Sequence, residues 1–138
     1  MTTLRPRLHP EDPGTFLHAA GFVAEDVAKD SCSGHLEVGP EHHTPWGVVH
    51  GGVYATAVES AASIGASAAV AERGQVAVGL TNTTQFLRSV TEGRLRVEAQ
   101  ALHQGRMQQL WVVDITDEAG RRIARGELRL QNVDAAPT

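Results

Sequence analysis

With 138 residues the chain has room for one domain, and 41% hydrophobic with 20% charged residues is a globular composition, which argues against disorder and a membrane class. A net charge of −4 disfavours a general nucleic-acid binder. One cysteine, Cys32, excludes an intramolecular disulfide framework, and no apolar core follows Arg5 and Arg7 to suggest a signal peptide, so a reducing, cytoplasmic setting is expected.

Residues 1–13 are polar and proline-bearing and read as a flexible N-terminal segment, residues 14–132 as a single domain and residues 133–138 as a flexible tail. A short helix is expected from Phe16 to Ala20, ending at Gly21. Two short strands follow, Phe22 to Ala28 and Cys32 to Val38, separated by the polar Lys29, Asp30 and Ser31. Pro40 to Gly47 is a loop carrying His42, His43, Thr44 and Trp46. The one strong helical segment runs from Gly52 to Arg73. From Gln75 the period changes to two: Leu95, Val97, Ala99 and Ala101 alternate with Arg94, Arg96, Glu98 and Gln100. Leu110 to Thr116 is rich in β-branched residues, and Ala124, Gly126, Leu128 and Leu130 again alternate with polar neighbours. These are strands of a half-buried antiparallel sheet, with Gly93, Gly105 and Asp117–Gly120 at tight connections. One long helix and a run of antiparallel strands make an α+β domain in which the sheet covers the helix, leaving its other face to solvent or a partner.

Between Gly52 and Val70 the single ionisable acid or base is Glu59, among alanines, serines and valines. A helix without charge on any side is expected to be packed on every side, and a carboxylate there is costly unless paired or used. Ser63, four residues on, shares its face. The helix is preceded by Val49-His50-Gly51-Gly52, with no Ser, Thr, Asp or Asn at the cap position, so its first N–H groups lack an obvious acceptor and suit a polarised carbonyl. Two glycines let a ligand approach that backbone. Gly51 and Glu59 are eight residues apart, about 12 Å along the axis and about 80° in rotation. One carbonyl reaches both only if they come from different subunits across a two-fold axis.

The segment Thr44-Pro45-Trp46-Gly47-Val48-Val49-His50-Gly51-Gly52-Val53-Tyr54, followed by Glu59, resembles the 4-hydroxybenzoyl-CoA thioesterase family, and within it the PaaI-like branch, which carries its acid on the central helix. The likeness continues through Val78-Gly79, Asn82, Phe86 to Arg88, His103, Gly105 and Asp117 to Gly120. The resemblance implies a hotdog fold, one long central helix wrapped by an antiparallel sheet of about five or six strands. It also implies a homodimer with a continuous sheet and an interfacial site, often paired into a homotetramer. The implied activity is hydrolysis of acyl-CoA thioesters without a metal or separate cofactor, coenzyme A being part of the substrate. By position, Glu59 matches the catalytic nucleophile or general base and Gly51 the N–H that polarises the carbonyl. His50 matches the histidine before it, and Ser63 a residue that places water or the carboxylate. Thr44 stands where relatives commonly have Gln or Asn, and a hydroxyl cannot donate twice. For coenzyme A the resemblance points to Arg88 and Arg106, with Gly52 and Asn82 beside them.

Arginine supplies all nine cations after residue 70, against Arg5, Arg7 and Lys29 before it; its planar fork suits phosphate, although it also simply replaces lysine throughout this chain. His35, His42, His43 and His50 match no usual metal-ligand spacing, so no metal is expected. Cys32 is expected as a small buried residue, and Trp46, Trp111 and Tyr54 as packing. A hotdog hydratase or dehydratase and a non-catalytic acyl-CoA binder are the alternatives.

Overall fold

The computed structural model describes residues 5–8 and 12–136. A short helix α1 (Thr15–Ala20) ends where Gly21 adopts a left-handed φ of 83°, and leads into strands β1 (Phe22–Val27) and β2 (Ser31–Val38). A 3-10 turn at Pro40–His42 and a tight loop precede the long helix α2 (Gly51–Val70), which runs into a second 3-10 turn at Ala71–Arg73. Strands β3 (Gln75–Phe86), β4 (Gly93–Gln104), β5 (Gln108–Thr116) and β6 (Arg122–Asp134) complete the domain. All six strands form one antiparallel sheet in the order β1-β2-β4-β5-β6-β3, wrapped around α2. This is the hotdog arrangement expected from the sequence.

The period-two pattern accounts for the core. Leu95, Val97 and Ala99 of β4, Trp111, Val113 and Ile115 of β5, and Ala124, Leu128 and Leu130 of β6 all point inward and are buried. Opposite them α2 presents a stripe of small residues, Ala57, Val58, Ala61, Ala62, Gly65 and Ala66. Fully burying one large aliphatic side chain stabilises by about 1.5–3 kcal/mol, so this interior sets the stability of the domain. The small stripe lets the sheet come close: a Cβ on Gly65 would lie 2.5 Å from the Trp111 ring. The indole N–H donates to the buried Gln109, whose own amide donates to the Ala66 carbonyl and to Asn132. Every polar atom brought inside with Trp111 is thereby satisfied.

Three expectations need correction. The helix is not packed on every side, because one sheet covers only one flank of a cylinder; Gly52 and Glu59 are exposed, and Thr56, Ser60, Ser63 and Ser67 are half-buried. The alternation in β4 does not run on past Leu102: a bulge between Ala101 and His103 leaves Ala101 half-buried and His103 exposed. The domain does not end at residue 132: β6 continues to Asp134, the Ala135 N–H donates to the Gly74 carbonyl, and the Ala136 N–H donates to that of Pro6. The rest of the expected flexible ends, residues 1–4, 9–11, 137 and 138, lies outside the described residues. No helix among the described residues is long and apolar enough to cross a membrane.

Adding a methyl at Gly65 forces the Trp111 ring out of its place. Gly65→Ala is expected to cost about 1–3 kcal/mol of overpacking, read as a lower urea midpoint at unchanged slope.

Candidate active site

The start of α2 is capped by an unexpected group. His50 occupies the N-cap position with extended backbone, and its Nδ1 accepts the Gly52 N–H at 2.8 Å. This supplies the acceptor that Ser, Thr, Asp or Asn usually provides, so the cap is filled after all. A neutral imidazole accepting at Nδ1 carries its proton on Nε2, which makes His50 a hydrogen-bond donor at the helix start. The Val53 N–H donates to the His50 carbonyl at 3.0 Å. With Gly52 and Val53 engaged, the Gly51 N–H is the first-turn donor without a partner among the described residues. It sits at the positive end of a 20-residue helix.

The loop before the helix is held by its own side chains. The Thr44 hydroxyl accepts the Trp46 N–H, and Gly47 turns the chain at a φ of 80°. The Thr44 side chain therefore shapes the turn, and Trp46 projects from it with 86% of its surface exposed. His42 is buried, accepting from the Gly39 N–H and donating to the Ala19 carbonyl, while His43 donates to the Thr91 carbonyl. Both are structural. Among the described residues no cluster of His, Cys, Asp and Glu is arranged to hold a metal ion. Burial pushes the Cys32 thiol up to about 11, which leaves it a neutral core group.

Two hollows flank the helix start. One, of about 270 Å³, is lined by Val49, Gly51, Tyr54, Phe86, Arg88 and Ser89. The other, of about 370 Å³ and mostly apolar, lies between α1 and α2 and is lined by Phe16, His43, His50, Gly52, Val53 and Thr56. Phe86, at the end of β3, rests its ring on Gly51 so closely that a Cβ there would lie 2.4 Å from it. A side chain at position 51 would have to displace the exposed Phe86 ring, a constraint separate from ligand approach. Phe86 also packs against Tyr54, ring centroids 6.1 Å apart; the Tyr54 hydroxyl is buried without a partner, and burial raises its pKa. The sequence marks Tyr54 as packing but not its partner, because their meeting depends on β3 returning to the helix start.

Glu59 lies two turns further along, on the flank of α2 that the sheet leaves open. It is exposed, so the desolvation expected for a fully packed helix is absent from the single chain. Its carboxyl lies over Gly79 of β3, where an added Cβ would be 3.6 Å from Cδ. No hydrogen bond joins Glu59 to Ser63, and Glu59 makes no ion pair among the described residues. Asn82 of β3 reaches the same stretch of helix, its amide nitrogen donating to the Ala55 carbonyl at 2.9 Å. Of the two arginines, Arg88 sits beside Gly51. Arg106 is at the tip of the β4–β5 hairpin, where its carbonyl accepts from Asn132; through Gln109 that region contacts Ala66, towards the far end of α2. One chain thus brings together Gly51, His50 and Arg88, places Glu59 apart from them, and holds Arg106 at the opposite end.

A family model described as "Thioesterase superfamily" matches residues 47–124. The solved structure of "Putative esterase Rv1847/MT1895" from Mycobacterium tuberculosis is 43% identical, with 88% of this chain and 98% of that one covered at a TM-score of 0.84. The proofreading thioesterase EntH of Cronobacter sakazakii is 32% identical over 121 residues, 88% of each chain. The 1,4-dihydroxy-2-naphthoyl-CoA hydrolase of Listeria monocytogenes is 37% identical over 98 residues, 71% of this chain and 79% of that protein.

The cap and the donor on His50 are separable. His50→Ala is expected to lose about 1 kcal/mol in a thermal melt, and His50→Asn to recover most of it, because the Asn side-chain oxygen accepts the same N–H.

Proposed function

The chain belongs to the thioesterase superfamily and is a thioester hydrolase, and from that premise we propose that it is a cytoplasmic acyl-CoA thioesterase working at a site shared by two copies of the chain. The observation that carries this reading is the separation inside one protomer: a free N–H at Gly51, and an uncommitted carboxylate at Glu59 on the uncovered flank of the same helix.

A second copy completes the site. Strand β3 is an edge of the sheet, twelve residues long, and an edge of that length offers unpaired N–H and C=O groups to another strand. Pairing β3 with its symmetry mate lays the two α2 helices antiparallel. A two-fold axis passing near Ala55 sets Glu59 of one helix opposite Gly51 of the other. The exposed Leu80 and the half-buried small side chains of α2 are then covered.

The chemistry follows from the donors and the acid. The thioester carbonyl oxygen accepts the Gly51 N–H, with the helix dipole behind it, and the His50 Nε2–H lies beside it to donate to oxygen or sulfur. Glu59 of the partner subunit either removes the proton of an attacking water or attacks the carbonyl carbon itself, giving an anhydride that water then opens. The C–S bond breaks, the acyl group leaves as a carboxylic acid, and the thiolate of coenzyme A takes up a proton. Ser63, one turn beyond Glu59, is placed to hold that water. Arg88 lies on the Gly51 side to meet phosphate, and the same two-fold carries the Arg106 hairpin towards the loop ahead of the partner's helix. Thr44, engaged with Trp46, serves by holding that loop rather than by donating to the carbonyl.

Release of free thiol from a panel of acyl-CoAs tests the activity directly. Thiol appearing with no change in enoyl absorbance excludes a hydratase, and no thiol with any acyl group would overturn the proposal. Glu59→Ala is expected to lower turnover about a thousandfold while leaving a folded oligomer, since the removed group is an exposed acid–base catalyst. Glu59→Ala subunits mixed with Gly51→Pro subunits are expected to recover activity on subunit exchange, because proline deletes the N–H and one of the two shared sites is then intact. Exchange without recovery would place the whole site in one protomer.

A further inference from the structure

Strand β3 carries a feature at the level of Glu59 that hydrolysis chemistry alone does not require. Its pairing with β6 shifts register between Gly79 and Thr81, a bulge that turns Leu80 out beside the Glu59 carboxyl. Just beyond the bulge, the Asn82 amide makes a hydrogen bond at each end. A backbone carbonyl can only accept, so the amide nitrogen faces Ala55, donating at 2.9 Å, and the amide oxygen accepts the Thr84 hydroxyl at 2.6 Å. Thr84 in turn lies over Gly126 of β6, where an added Cβ would be 2.7 Å from its hydroxyl oxygen.

Ala55 is four residues before Glu59, so in an α-helix its carbonyl already accepts the Glu59 N–H. The second lone pair of that oxygen takes the Asn82 amide. The turn that carries the acid is therefore pinned through its own backbone to the edge strand, and Thr84 sets which way the pinning amide faces.

We propose that Asn82 is a positioning residue that holds the Glu59 turn of α2 against β3, oriented by Thr84 across the open side of Gly126. The inference rests on the role of Glu59 proposed above. It assigns Asn82 to the acid, because each end of its amide already makes a hydrogen bond within the chain that a free phosphate contact would not need. A catalytic group displaced by an ångström loses rate by up to about a hundredfold without a matching loss of binding. The consequence of losing the pin is thus a fall in kcat with KM held.

The full-length Asn82→Ala, Asn82→Asp and Thr84→Val proteins test this against the best acyl-CoA from the panel. Both Asn82 variants are expected to lower kcat about tenfold with KM within about twofold, because Asp keeps the shape and the Thr84 bond but lacks the donor. Thr84→Val is expected to show a smaller fall, since the donor remains and only its orientation is freed. Amide exchange at Glu59 is expected to quicken in all three, in the same order, while the rest of α2 stays protected. A rise in KM with kcat unchanged would make Asn82 a substrate contact and overturn the inference. Dissociation into protomers on a sizing column would assign it to assembly and overturn it as well. Wild-type kcat in these variants, alongside an inactive Glu59→Ala, would sink the pin but leave the hydrolase mechanism standing. An active Glu59→Ala would sink that mechanism instead, and the exchange rates would still decide whether Asn82 holds the turn.

Discussion

A single sheet can cover only one flank of a helix, and α2 is the one long helix in the domain. Its buried flank is built mostly of alanine and glycine, with Tyr54, Val58 and Val70, which lets strands β4, β5 and β6 close around it until Trp111 meets Gly65. Its other flank, with Thr56, Glu59, Ser60 and Ser63, is left partly open among the described residues, with β3 reaching its margin where Gly79 lies against Glu59. A carboxylate is tolerated there because water still reaches it, and in the shared site proposed above a second protein surface would replace that water.

The start of the same helix solves a different problem. First-turn N–H groups must find acceptors, and a side chain that satisfied all of them would leave nothing for a substrate. His50 takes one, its carbonyl takes another, and Gly51 is left over. The capping bond also dictates which imidazole nitrogen holds the proton, so one interaction both starts the helix and leaves an Nε2–H donor at its start. Phe86 closes over the position from β3, where glycine leaves room for its ring.

Edge strand β3 links these two ends. It touches the helix start through Phe86, lies against Glu59 at Gly79 and reaches Ala55 through Asn82. It is also one of the two edge strands of the sheet, β1 being the other. In the proposed dimer, assembly and placement of the acid would share this one element, and a bulge in a long edge strand is a means of bending it.

The amino-acid sequence alone determined the elements and the inward faces. Alternation of apolar and polar residues in β4, β5 and β6 is a local property, and an uncharged run of alanines with one glutamate marks both the helix and its acid. It also showed, from helical rise alone, that Gly51 and Glu59 sit too far apart to serve one carbonyl within a chain. What needed the tertiary structure were contacts between segments distant in sequence. The flank left open on α2 depends on where the sheet stops. The cap by His50 depends on a loop folded back through Thr44 and His42. The engagement of Asn82, read from resemblance as a coenzyme A contact, depends on β3 passing Ala55 after its bulge. Periodicity records which face of an element is buried, but not what the remaining face meets, because that is set by the path of the chain between elements.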